Sequence, residues 1–236
     1  MVGWLERAAG PGGPSLALVY LELILALTLL ASVLHFRSLR TSRDELHAVR
    51  AYFLAFFSLL LALPCVLIIL TSGRPLETLS SFGWTLGRTG LGSVLILAGL
   101  PLAVLAGFIG SRDPAMQKMY PFAKAACADP RTFVRYQLSY FVLYYLPWES
   151  VFRGVLFFPL VPAIGLVPAL AVQTVISTLF HIGHPDSEVF AAAGAGLVFG
   201  MVAYYTGSFL YPLVLHAATG IATDTFLFLR RRRGQP

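Results

Sequence analysis

Charge is what this sequence has least of. Asp, Glu, Lys and Arg make up 12% of it, against about 25% in an ordinary soluble domain. Water could not solvate a surface that poor in charge, so a soluble globular fold is excluded. Cysteine is nearly absent too: Cys65 lies in an apolar run and Cys127 in a loop, which excludes a disulfide framework and a Cys-based metal site. There is no HExxH pair, no internal repeat and no low-complexity stretch apart from Arg230 to Arg233. No basic stripe is interleaved with aromatics, so nucleic acid is not an expected partner.

What remains is apolar. Of 236 residues, 57% are hydrophobic, and the mean hydropathy is +0.76. A spanning helix takes about 20 mostly apolar residues. Seven runs qualify as candidates: 15–36, 51–72, 90–110, 136–159, 162–183, 189–206 and 208–229. The expected fold is an all-α polytopic membrane bundle of about seven transmembrane helices, embedded in a lipid bilayer. The run at 15–36 exceeds the ~7–15-residue core of a signal peptide, so a retained first helix is expected. The fourth and fifth runs are divided mainly by Pro162.

The formal net charge is +6, and its distribution is topological. Basic residues cluster at 37–50, at 111–135 and in the tail, whereas the alternate loops hold only Arg74 and Arg88. By the positive-inside rule this places the C-terminus in the cytoplasm and the N-terminus outside a cell membrane. Three divisions follow: N-terminal helices and loops at 1–135, a core at 136–229 and a basic tail at 230–236. Residues 113–133 read as a loop or an interfacial amphipathic piece. Gly196 and Gly200 form a small-xxx-small pair, expected to bring the sixth helix close to its neighbours in the bundle interior.

Against this background a few polar residues stand out. Insertion of an ionisable group into a bilayer costs roughly 2.5–3.5 kcal/mol, so such groups mark function by default. Glu149 and Arg153, at i and i+4, share one helical face about 6 Å apart. They form either a self-neutralising ion pair or a carboxylate held ionised for general-base work. His181 and His184 are three residues apart. The pair admits a divalent metal, but its spacing does not support one, and no cofactor is expected. His181 reads as an interfacial residue at a helix end, His184 as a general-base candidate. His216 lies several residues inside the last helix, and Asp224, two turns on, could share its polar face. The run boundaries put Glu149 mid-helix but His184 at a helix end, a mismatch of depth for groups that would share a site.

At these residues the chain resembles the CPBP (ABI) intramembrane proteases, which include the type II CAAX prenyl endopeptidases. The motifs of that family are EExxxR, FxxxH and HxxxN. They are similar to Trp148-Glu149-…-Arg153-Gly154, Phe180-…-His184 and His216-…-Gly220 here, in the same order and about thirty residues apart. The likeness covers roughly 136–225. It implies an endopeptidase hydrolysing a peptide bond in a peptide or membrane-protein substrate, with Glu149, Arg153, His184 and His216 as catalytic residues. His184 would take the water-activating position and His216 an oxyanion-stabilising one. Two positions depart from the family pattern: Trp148 replaces the first Glu, and Gly220 replaces the Asn. They open a second reading, a catalytically degenerate member that serves as a membrane scaffold or peptide-binding protein. A third, a proton-coupled transporter, would call for inverted repeats.

Overall fold

The computed structural model describes residues 44–234; the expected span at 15–36 lies outside them. The described chain is all-α. Asp44 starts α1 (Glu45–Phe57) by accepting a hydrogen bond from the His47 amide, 3.0 Å away. A wide π-turn (Ser58–Ala62) carries it into α2 (Leu63–Thr71). Next come a short α3 (Pro75–Ser81), α4 (Thr89–Gly110), α5 (Pro114–Met119) and a 3₁₀ turn at Lys124–Cys127.

Asp129 then caps α6 (Pro130–Tyr140) through the amides of Arg131 and Thr132. The helix runs without a break through a π-turn (Phe141–Tyr145), α7 (Leu146–Glu149), a second π-stretch (Ser150–Leu156) and α8 (Phe157–Ile164). We call this continuous element the rod. After it come α9 (Leu166–Leu179), α10 (Asp186–Thr206) and α11 (Leu210–Arg232).

Both π-turns adjoin a proline. Pro64 follows Ser58–Ala62, and Pro147 follows Phe141–Tyr145. A proline inside a helix lacks its N–H and collides with the carbonyl four residues back. Widening the turn relieves that collision: the amides of Leu63 and Leu146 reach back five residues, to Ser58 and Phe141. The wide turns also keep an aromatic ladder on one face. Tyr136, Tyr140, Tyr144, Trp148 and Phe152 follow one another every four residues, with ring centroids 4.8–5.7 Å apart. On a regular α-helix each such step drifts about 40°, which would carry the two ends of the ladder to opposite faces. Here the ladder packs against α1, with Phe53 stacked on Tyr140 at 4.9 Å and Phe56 on Tyr144 at 4.7 Å.

Among the described residues four helices are long and apolar enough to cross a membrane: Glu45–Leu70, Thr89–Gly110, Asp186–Thr206 and Leu210–Arg232. They correspond to the expected runs at 51–72, 90–110, 189–206 and 208–229. Large apolar side chains face outward on several helices: Leu70, Leu97, Val167 and Phe190 are each more than 70% exposed. Hydrocarbon, not water, is the solvent for such surfaces.

The run at 162–183 is corrected. Pro162 lies inside α8, and the break falls at Gly165, whose φ of 89° favours a residue without a β-carbon. The helix that follows has 14 residues, about 21 Å at 1.5 Å each, too short for a hydrocarbon core of about 30 Å. This resolves the mismatch of depth. The turn after α9 reaches only as far as the middle of the rod, where Phe180 and His181 meet Trp148 at 6.4 and 5.2 Å between ring centroids.

Close helix contacts rest on small residues. A β-carbon on Gly196 would lie 2.9 Å from Thr174, and one on Gly200 would lie 2.7 Å from Gln173 Nε2. The Gln173 amide donates to the Gly196 carbonyl at 2.8 Å, which pins α9 to α10. The sixth run is therefore tightly packed, as its small-xxx-small pair leads one to expect. On α4, Gly99 and Gly107 let that helix lie against α11 at Leu215 and Ala222. Residues 113–133 hold α5, the 3₁₀ turn and the first turn of α6.

Candidate active site

Glu149 is fully buried on the rod, beside the wide turns around Pro147. Its Oε1 accepts from Arg153 Nη1 at 3.1 Å and from His216 Nδ1 at 2.6 Å. The i, i+4 spacing thus forms an ion pair, and α11 adds the imidazole. The other oxygen, Oε2, has no partner among the described residues. A carboxylate this deep is tolerated because a guanidinium and a ring N–H both bond it.

His216 faces a cavity of about 390 Å³. Trp148, Arg153 and Tyr145 of the rod, Gly220 of α11, His181 after α9 and Glu188 of α10 also line it. That volume falls within the range typical of ligand pockets. Small residues, Ala191 and Ala195 on α10 and Gly110 on α4, keep it open. Glu149 lies behind this wall, in contact with the cavity-lining His216.

A second polar group lies on the side of α10. Glu188 Oε1 accepts from the Tyr120 hydroxyl at 2.6 Å and lies 3.2 Å from His184 Nδ1. Tyr120 Oη is also 3.0 Å from that nitrogen. The phenol has one proton. When Glu188 takes it, His184 Nδ1 must carry its own. Glu188 Oε2 is buried and has no partner among the described residues.

His181 is anchored in the same manner. Its Nδ1 lies 2.8 Å from the Ser177 carbonyl. A carbonyl only accepts, so Nδ1 bears the proton. All three imidazoles are therefore held through Nδ1–H, which leaves Nε2 as the basic nitrogen of each neutral ring.

Three sequence expectations shift. His181, read as interfacial, lines the cavity and packs against Trp148. Asp224 does not join His216; it is fully buried and accepts from the Gln137 side chain at 2.9 Å. His184 is reached from the cavity through Glu188 and Tyr120, not directly. No sequence motif marks Glu188. Its i+4 spacing from His184 was the available signal.

The two departing positions are both occupied. Trp148 stands between the imidazoles, its ring 5.2 Å from His181 and 6.1 Å from His216. Over Gly220 the space is filled by Tyr145: a β-carbon there would overlap the phenol oxygen and lie 2.8 Å from Cζ.

The donor set does not fit a resident divalent metal. Among the described residues no three His, Cys, Asp or Glu side chains cluster to hold one.

Residues 130–222 match the family model described as type II CAAX prenyl endopeptidase, Rce1-like. Over that stretch, from the start of α6 to the middle of α11, the chain is similar to a family of CAAX-type intramembrane proteases. No curated protein and no solved structure matches it.

Proposed function

We infer that the protein is a membrane-embedded endopeptidase that hydrolyses a peptide bond with a water activated inside the bundle. The observation that carries this reading is the His216–Glu149 contact of 2.6 Å at the wall of a cavity whose other wall holds Glu188. Buried acid–imidazole pairs facing one hollow are the equipment of general acid–base chemistry.

The roles divide by position. Glu188, with its unpartnered Oε2 and with His184 beside it, takes the proton of the attacking water. The water oxygen bonds to the substrate carbonyl carbon, and the carbonyl π pair moves to oxygen. As an imidazolium, with Nδ1–H on Glu149 and Nε2–H towards the cavity, His216 stabilises that oxyanion, while Glu149 and Arg153 hold its ring in register. When the C–N bond breaks, the proton passes from the Glu188–His184 pair to the leaving amine. The substrate is a peptide or a membrane protein reached from the bilayer, with residues 136–229 as the core. The basic tail lies on the cytoplasmic side of the cell membrane and the N-terminus outside.

The test is cleavage of a peptide library by purified protein in liposomes. His216→Ala and Glu188→Gln should each lower turnover by at least about 10²-fold while the protein stays folded. Cleavage at the natural rate in both variants overturns the reading.

One observation favours a second reading, a non-catalytic peptide-binding scaffold: the indole of Trp148 fills the space between the imidazoles where the family resemblance puts an acid. Trp148→Glu discriminates. Activity that appears only in this variant marks the natural chain as a binder.

A further inference from the structure

Gly220 is a glycine for a reason visible in the packing. It lies one turn after His216 on α11, where the family resemblance places an asparagine. A β-carbon there would collide with the hydroxyl of Tyr145. That phenol comes from a different element, the last residue of the π-turn before Pro147. Its ring meets the His216 imidazole edge-on at 5.0 Å. The side chain is 3% exposed overall, yet it lines the cavity. The Tyr140 hydroxyl is its hydrogen-bonding neighbour.

We propose that Tyr145 supplies the oxyanion-stabilising donor that Gly220 cannot. The assignment rests on the protease reading above and deepens it. A phenol has one O–H to give and lone pairs to accept with, so Tyr145 can accept from Tyr140 and still donate into the cavity. No proton is transferred. As water adds to the carbonyl and negative charge gathers on oxygen, the Tyr145 O–H and the Nε2–H of the His216 imidazolium, whose Nδ1–H stays on Glu149, both point hydrogen at it. Tyr145 faces α11 while Tyr144, one residue before it, stays in the aromatic ladder. The departure at Gly220 is then a replacement from another helix, not a loss.

Loss of one oxyanion donor typically lowers kcat by about 10²–10³. Tyr145→Phe, measured in liposomes on a peptide that the natural chain cleaves, should lower kcat by about 10²-fold and leave KM within about twofold. Tyr204→Phe, on the exposed part of α10, is the control and should change neither. A paired variant guards against misfolding. Tyr145→Ala with Gly220→Asn, which frees the space and restores an amide donor on α11, should recover at least tenfold over Tyr145→Ala alone. Tyr145→Phe at the natural kcat overturns the assignment alone and leaves the protease reading intact. If Tyr145→Phe does not fold, a paired variant no better than Tyr145→Ala overturns it. A natural chain that cleaves nothing overturns both.

Discussion

His216 Nδ1 lies 2.6 Å from Glu149 Oε1, and the same oxygen is 3.1 Å from Arg153 Nη1. One carboxylate oxygen thus joins the rod to α11 and sets which nitrogen of the ring carries the proton. Glu149→Gln keeps the shape but removes the charge and can turn its amide towards the imidazole. The ring would then lose its reason to keep the proton on Nδ1. Arg153, 2% exposed, would be left without its counter-charge. Breaking a buried pair costs about 3–5 kcal/mol, so thermal stability should fall by that order. Activity should fall by at least 10²-fold, since a wrong tautomer alone is costly in acid–histidine sites. Nitrogen NMR of the labelled histidine reads the tautomer directly.

Glu188 and His184 form the second acid–imidazole pair, at 3.2 Å. Their proposed part is to take and return one proton, a contribution of about 10²–10⁴ in rate. Glu188→Gln and His184→Ala should each lose that much. The double variant should lose little more than either single one, because the two act as a unit. Single-turnover assays on reconstituted protein check this, and full additivity of the two losses would separate the residues.

Gly220→Ala tests packing apart from chemistry. The new methyl would overlap the Tyr145 hydroxyl, and overfilling a packed interior costs about 1–3 kcal/mol. The variant should be destabilised by that amount. Adding Tyr145→Phe removes the oxygen and should return part of it. Thermal unfolding in detergent gives both values.

Several of these features could be read in the residues, and others could not. The i, i+4 spacing of Glu149 and Arg153 gave their pairing, because a helix fixes it whatever surrounds it. The small pair Gly196 and Gly200 gave a tight contact for the same local reason. Hydropathy found the spans at 90–110 and 208–229 within a few residues. It misjudged 162–183, since an apolar run does not reveal a positive-φ break at Gly165. The aromatic ladder was equally hidden: a spacing of four drifts round a regular helix, and only the π-turns keep it on one face. Tyr145 over Gly220 and Glu188 beside His184 depend on which elements meet, and no single stretch of sequence carries that. The depth of His184 looked wrong until α9 proved too short to span.

Lys124 offers a pH-dependent readout away from the bilayer-spanning helices. It is one of two lysines in the chain. Its ammonium donates to the backbone carbonyls of Gln117 and Tyr120. Partial burial, and then the nearby Arg231, lower its pKa from 10.5 to about 8. The fold therefore favours the neutral amine. Between about pH 8 and 10.5 the unfolded chain binds a proton there that the folded chain does not. In that window the contribution of Lys124 to stability rises with pH; below about 8 both states are protonated and it levels off. The same depression makes the amine nucleophilic near neutrality. Limited acylation of the folded protein, followed by peptide mass analysis, should give Lys124 a reactivity midpoint near pH 8, and unfolding in detergent and urea should move it towards 10.5. A midpoint that stays at the same pH in both states would show that the folded environment does not tune this amine.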